Sequence, residues 1–105
     1  MISKAEQQMV LKSQDFGQLN GMFATMVATH KKFDGLNFAL LDMSSMSVAI
    51  EVATKIADEF KIDFDHGNWT ITLGGTAAKK VTIVSGDDLP LAILKSAIIY
   101  VRKYL

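Results

Sequence analysis

The chain has 105 residues, half of them hydrophobic, with eleven Lys and Arg balancing eleven Asp and Glu and no cysteine. That composition describes one folded domain over residues 1–105 and excludes a disordered segment. It also excludes a disulfide framework, a thiolate metal site, and a global field that would draw the chain to nucleic acid or to an anionic membrane.

The polar start, Met1-Ile2-Ser3-Lys4, lacks a secretory apolar core, and no uninterrupted apolar run approaches the ~20 residues of a membrane span. A cytoplasmic protein with no membrane contact is expected. Ser3 and Glu6 have the Ser-x-x-Glu spacing of a capping box, in which each side chain bonds the other residue's backbone N–H, and they predict a helix over about 3–13. Phe16, Leu19, Met22, Phe23, Met26, Val27 and His30 then recur at three and four, an amphipathic pattern to about Lys32. Gly17 and Gly21 weaken that helix by roughly 1 kcal/mol each relative to Ala, so a break around Gly17 is expected. Together with Ala24, Thr25 and Ala28 they also form a small-residue face that another backbone could approach.

Phe33-Asp34-Gly35 reads as a turn, and Leu36, Phe38 and Leu40 alternate with Asn37 and Ala39, which suits a short strand or a helical turn equally. Ser44 and Ser45 offer N-caps for a helix over about 46–60. Its inward face would carry Ala49, Val52, Ala53, Ile56, Ala57 and Phe60, with Glu51 and Lys55 paired on the other side.

Strand alternation follows. Ile62 and Phe64 alternate with Asp63 and Asp65, and Trp69, Ile71 and Leu73 alternate with Thr70 and Thr72, around the turn Asp65-His66-Gly67-Asn68. A second loop at Gly74–Ala78 leads into a third strand, Lys80–Val84. Ile62, Phe64, Trp69, Ile71, Leu73, Val81 and Ile83 should share one apolar face, which the helices must cover. Asp87 and Asp88 mark the positive end of a closing helix, Pro90 suits its first turn, and Arg102 and Lys103 lie at its negative end. The expected class is α+β: helices packed on one face of a small three-stranded antiparallel meander, with a long apolar C-terminal helix.

That last helix carries the strongest signal. Only Lys95, Ser96, Arg102 and Lys103 interrupt its apolar surface, on one narrow stripe. A surface helix needs an apolar stripe over about a third of its circumference. Burial on more than one side is therefore expected, by the chain itself or by a second copy.

Catalytic and metal-binding readings find little support. Alternation puts Asp63 and Asp65 on the outward face with His66 in the turn, so no convergent ligand set forms. His30 sits where a helix-end imidazole caps carbonyls. Gly74-Gly75-Thr76-Ala77-Ala78-Lys79-Lys80 lacks the Gly-Lys-Ser/Thr end of a phosphate loop and leads into a strand. No catalytic residue, metal ligand or cofactor is expected.

Charge is uneven along the neutral chain: Asp34, Asp42, Glu51, Asp58, Glu59, Asp63 and Asp65 face only Lys55 and Lys61 within residues 33–66. The functional expectation is a non-enzymatic interaction module of accessory or regulatory type. It would self-associate, most simply as a dimer, through Leu91, Leu94, Ile98, Ile99 and Tyr104. It would bind a protein partner through Asp58, Glu59, Asp63 and Asp65. A first alternative is an oligomeric binder of a nucleotide-like anion, with Lys79, Lys80, Tyr100 and Arg102 at its pocket. A second is nucleic-acid binding through the separate pairs Lys31-Lys32, Lys79-Lys80 and Arg102-Lys103.

Overall fold

Ser3 starts the first helix, α1 (Lys4–Lys12), by accepting the Glu6 N–H at 3.1 Å. Only this half of the capping box is made as expected, because the Glu6 carboxylate pairs with Arg102 at the far end of the chain. The break that follows lies at Ser13-Gln14-Asp15, ahead of the expected position at Gly17. Ser13 Oγ accepts the Asp15 N–H, and Asp15 Oδ1 accepts the Gln18 N–H at 3.0 Å, so a side-chain cap opens α2 (Phe16–Ala28) with Gly17 already inside it. The computed structural model describes residues 2–28, 43–57, 59–76, 79–86 and 88–104. His30, segment 36–40, Asp58 and Asp87 lie outside them, as do Lys31 and Lys32.

Helix α3 (Met46–Ile56) buries Ala49, Val52, Ala53 and Ile56 and carries the Glu51–Lys55 pair at 3.3 Å. It stops short of the expected residue 60, because Phe60 is taken into a strand. Strands β1 (Phe60–Asp65), β2 (Asn68–Thr76) and β3 (Lys79–Ser85) form an antiparallel sheet of order β1-β2-β3. The β1–β2 turn consists of His66 and Gly67, both at positive φ (51° and 81°), the pairing a two-residue hairpin of this twist requires.

Asp88 opens α4 (Leu89–Tyr104) by accepting the Ala92 N–H at 2.9 Å. This helix packs on β2 and β3 with one side and on α1, α2 and α3 with the other. Every residue from Leu91 to Val101 is buried, and three turns without an exposed position leave no free face. The polar stripe of this helix reaches solvent only at its C-terminal end. Lys95 and Ser96 are fully buried, with Ser96 Oγ bonding the Ile93 carbonyl at 2.7 Å and Lys95 Nζ the Leu11 carbonyl at 2.9 Å. Arg102 and Lys103 alone are exposed.

The architecture is therefore α+β, with α4 as a middle layer between the sheet and the other three helices. No helix among the described residues is long and apolar enough to cross a membrane.

Candidate functional site

The sheet's inner face is built from cross-strand rows fixed by the register: Phe60–Leu73–Val81, Ile62–Ile71–Ile83 and Phe64–Trp69–Ser85. Residues on one row share one face. In the first two rows Leu73, Val81, Ile71 and Ile83 are buried. In the third, at the hairpin tip, Trp69 is only half-buried and Phe64 is 58% exposed, so the expected core position of Phe64 is not realised. Burial runs out along the hairpin because the sheet extends further than the layer over it. Phe64 stacks on Trp69 instead, with ring centroids 4.5 Å apart and planes tilted by 53°.

The opposite face of β1 presents Glu59, Lys61, Asp63 and Asp65, all exposed. Lys61 reaches Glu59 at 4.0 Å and His66 reaches Asp65 at 3.4 Å. Three of the four expected acidic contact residues thus lie in one row along an edge strand.

That edge has open backbone groups. Gly74 N–H donates to the Glu59 carbonyl at 3.0 Å, which fixes the odd-numbered residues of β1 as those bonded to β2. The N–H and C=O groups of Phe60, Ile62 and Phe64 therefore point away from the sheet. Among the described residues nothing bonds to them. The other edge is treated differently: the Tyr104 hydroxyl donates to the Lys80 carbonyl at 3.2 Å, covering the start of β3 with the end of α4.

The residues expected to mediate self-association through α4 are otherwise occupied. Leu91, Leu94, Ile98 and Ile99 are buried against the chain's own elements, and Tyr104 is half-buried over β3. The four residues of the anion-site alternative are divided between two sides of α4. Tyr100 is buried beside Tyr104, at 5.3 Å between rings, and it is the Tyr104 hydroxyl that reaches the backbone of exposed Lys80. Arg102, two positions on and so across the helix, donates to both Glu6 oxygens at 2.6 and 2.9 Å. This bidentate contact holds the Glu6 carboxyl below its ordinary pKa and commits the guanidinium to α1.

A cleft of about 350 Å³ lies at the starts of α2, α3 and α4, lined by Gln14, Phe16, Ser44, Asp88, Pro90 and Leu91. Asp88 on its wall disfavours an anion there. Among the described residues no three His, Asp or Glu side chains converge as metal ligands would. No family model matches the chain, and neither a curated protein nor a solved structure matches it significantly.

Sequence reasoning missed Phe64 and the β1 edge as surface features. The available signal was position: Phe64 is two residues from the turn, where a sheet most easily outruns its cover.

Proposed function

We propose that this chain is a non-enzymatic interaction module that binds protein through its β1–β2 hairpin. The observation that supports this reading is Phe64, a large apolar side chain more than half exposed beside Trp69 and next to an open strand edge. An aromatic pair supplies contact area at little cost in side-chain entropy, and such residues dominate binding energy at protein interfaces. The open edge offers backbone pairing to an extended segment, with side-chain contacts giving specificity. Glu59, Asp63 and Asp65 set the charge a partner must complement, which governs register and association rate more than affinity. The hairpin is favoured over α4 for this role because Leu91, Leu94, Ile98 and Ile99 are already buried within the chain.

Photo-cross-linking in the native host tests this directly. A photoreactive phenylalanine analogue in place of Phe64 is expected to give one discrete cross-linked protein product. The same analogue in place of Ile50, which is 40% exposed on α3, is expected to give none. Equal products at both positions, or none at position 64, would reject the hairpin as the contact surface.

A further inference from the structure

We propose that the β1 edge pairs with the β1 edge of a second copy, antiparallel about Ile62, so that two three-stranded sheets become one. This rests on the hairpin reading and names its partner. Three constraints select the pairing. Two identical antiparallel strands in one sheet are related by an axis perpendicular to it. The axis must pass through a residue, because directly opposite side chains share a face. The outward-pointing backbone groups belong to Phe60, Ile62 and Phe64. The remaining constraint is charge.

An axis through Ile62 places Ile62 against its own copy, each Phe60 against the copy's Phe64, and each Lys61 against the copy's Asp63. Every residue with outward backbone groups then meets another, and each such pair exchanges both N–H···O bonds. Exposed Phe64 gains half-buried Phe60 as a cross-strand neighbour on the inner face. Shifting the axis to Lys61 sets that lysine against itself and Glu59 against Asp63. Shifting it to Asp63 sets two carboxylates together at the centre, and an axis through Phe64 sets Asp63 against Asp65. An axis through Phe60 also opposes Glu59 and Lys61, but it pairs neither Ile62 nor Phe64 with another of the three outward residues. Only the Ile62 register both opposes charges around its centre and pairs all three. Its one like-charge meeting, Glu59 with Asp65, falls at the outer ends, where Lys61 of the same strand lies 4.0 Å from Glu59.

The assembly closes at two copies. Each β1 edge is consumed by the other, and the outer edges are β3, which begins with Lys79 and Lys80 and has the Tyr104 hydroxyl on its Lys80 carbonyl. Lysines and side-chain caps of this kind discourage further strand addition.

The test is a charge exchange read by native mass spectrometry and light scattering on the full chain. Wild type is expected to show a concentration-dependent dimer. Lys61→Asp and Asp63→Lys should each weaken self-association by roughly tenfold or more, since each sets like charges opposite one another. Both positions are exposed, so circular dichroism should show the fold unchanged. Mixing the two single variants should restore a dimer, now of one chain of each mass, because their altered charges are complementary in this register. Carrying both substitutions on one chain should restore the homodimer.

Wild type that stays monomeric at high micromolar concentration overturns the proposal. So does a dimer indifferent to the swaps, or a mixture without the mixed species. A monomer whose position 64 still cross-links to a different protein removes the second copy and keeps the hairpin as a contact surface. A monomer with no cross-link removes both.

Discussion

Gly74→Ala is expected to lower stability by roughly 3 kcal/mol, the sum of a strained backbone and an overlap with the next strand. Gly74 sits at φ 122° within the irregular stretch between Leu73 and Thr76, a conformation that residues with a β-carbon rarely adopt. An added methyl would overlap the carbonyl oxygen of Lys79, and that neighbour is backbone, which cannot swing aside. Gly74 N–H also holds the Glu59 carbonyl, so relaxation to relieve the clash disturbs the start of β1. For a domain of this size the loss corresponds to a fall in Tm of about 15 °C. Gly21→Ala is the control. Gly21 is exposed in the middle of α2, a methyl there meets nothing within 4 Å, and helix propensity predicts a gain of up to about 1 kcal/mol. Thermal unfolding of the two variants side by side checks the pair. A Gly74→Ala protein as stable as wild type would contradict the close approach of β2 to β3.

Lys95→Ala is expected to cost about 3 kcal/mol, most of it from the cavity left by the side-chain stem. Lys95 is fully buried in the middle of α4, and its ammonium group donates to the Leu11 carbonyl in the last turn of α1. A cation is favourable there because the C-terminal end of a helix carries partial negative charge. The same burial removes the ammonium from water, and the two effects largely cancel. Lys95→Met, which keeps the stem and discards the charge, should therefore lose only about 1 kcal/mol, roughly the net worth of a hydrogen bond. Urea unfolding midpoints decide between stem and head group. If Met costs as much as Ala, the ammonium contact rather than the packing ties α1 to α4.

These sites show where sequence reading succeeds and where it stops. The hairpin turn was legible because Asp65-His66-Gly67-Asn68 is a local signal, and local chemistry sets its two positive φ angles. The inward face of α3 was legible by period, and so was the alternation of β2. Its far end was not, since the pattern of apolar residues continues through Ala57 to Phe60 while pairing with Leu73 draws Phe60 into the sheet.

That apolar residues cover more than one side of the last helix was visible, but a helical wheel does not say what covers each side. The chain supplies the sheet for one and α1–α3 for the other. The burial of Lys95 was not legible, because its hydrogen-bond partner lies 84 residues earlier in the chain. Arg102 looked free for a ligand because its partner, Glu6, lies 96 residues away. Phe64 follows the alternation faithfully and still ends up exposed. Alternation assigns a side chain to a face but says nothing of how far the layer above that face extends.

The β1 edge combines both kinds of information. Its outer edge follows from strand order, whereas its openness depends on which edge Tyr104 happens to reach.

Amide hydrogen exchange, read by NMR in dilute and concentrated samples, tests most directly whether the chain covers α4 itself and offers β1 instead. The account predicts slow exchange along α4 at every concentration. It predicts that the amides of Phe60, Ile62 and Phe64 exchange fast when dilute and slow when concentrated. Faster exchange along α4 on dilution, with β1 unchanged, would mean that a second copy covers that helix, and would contradict the account.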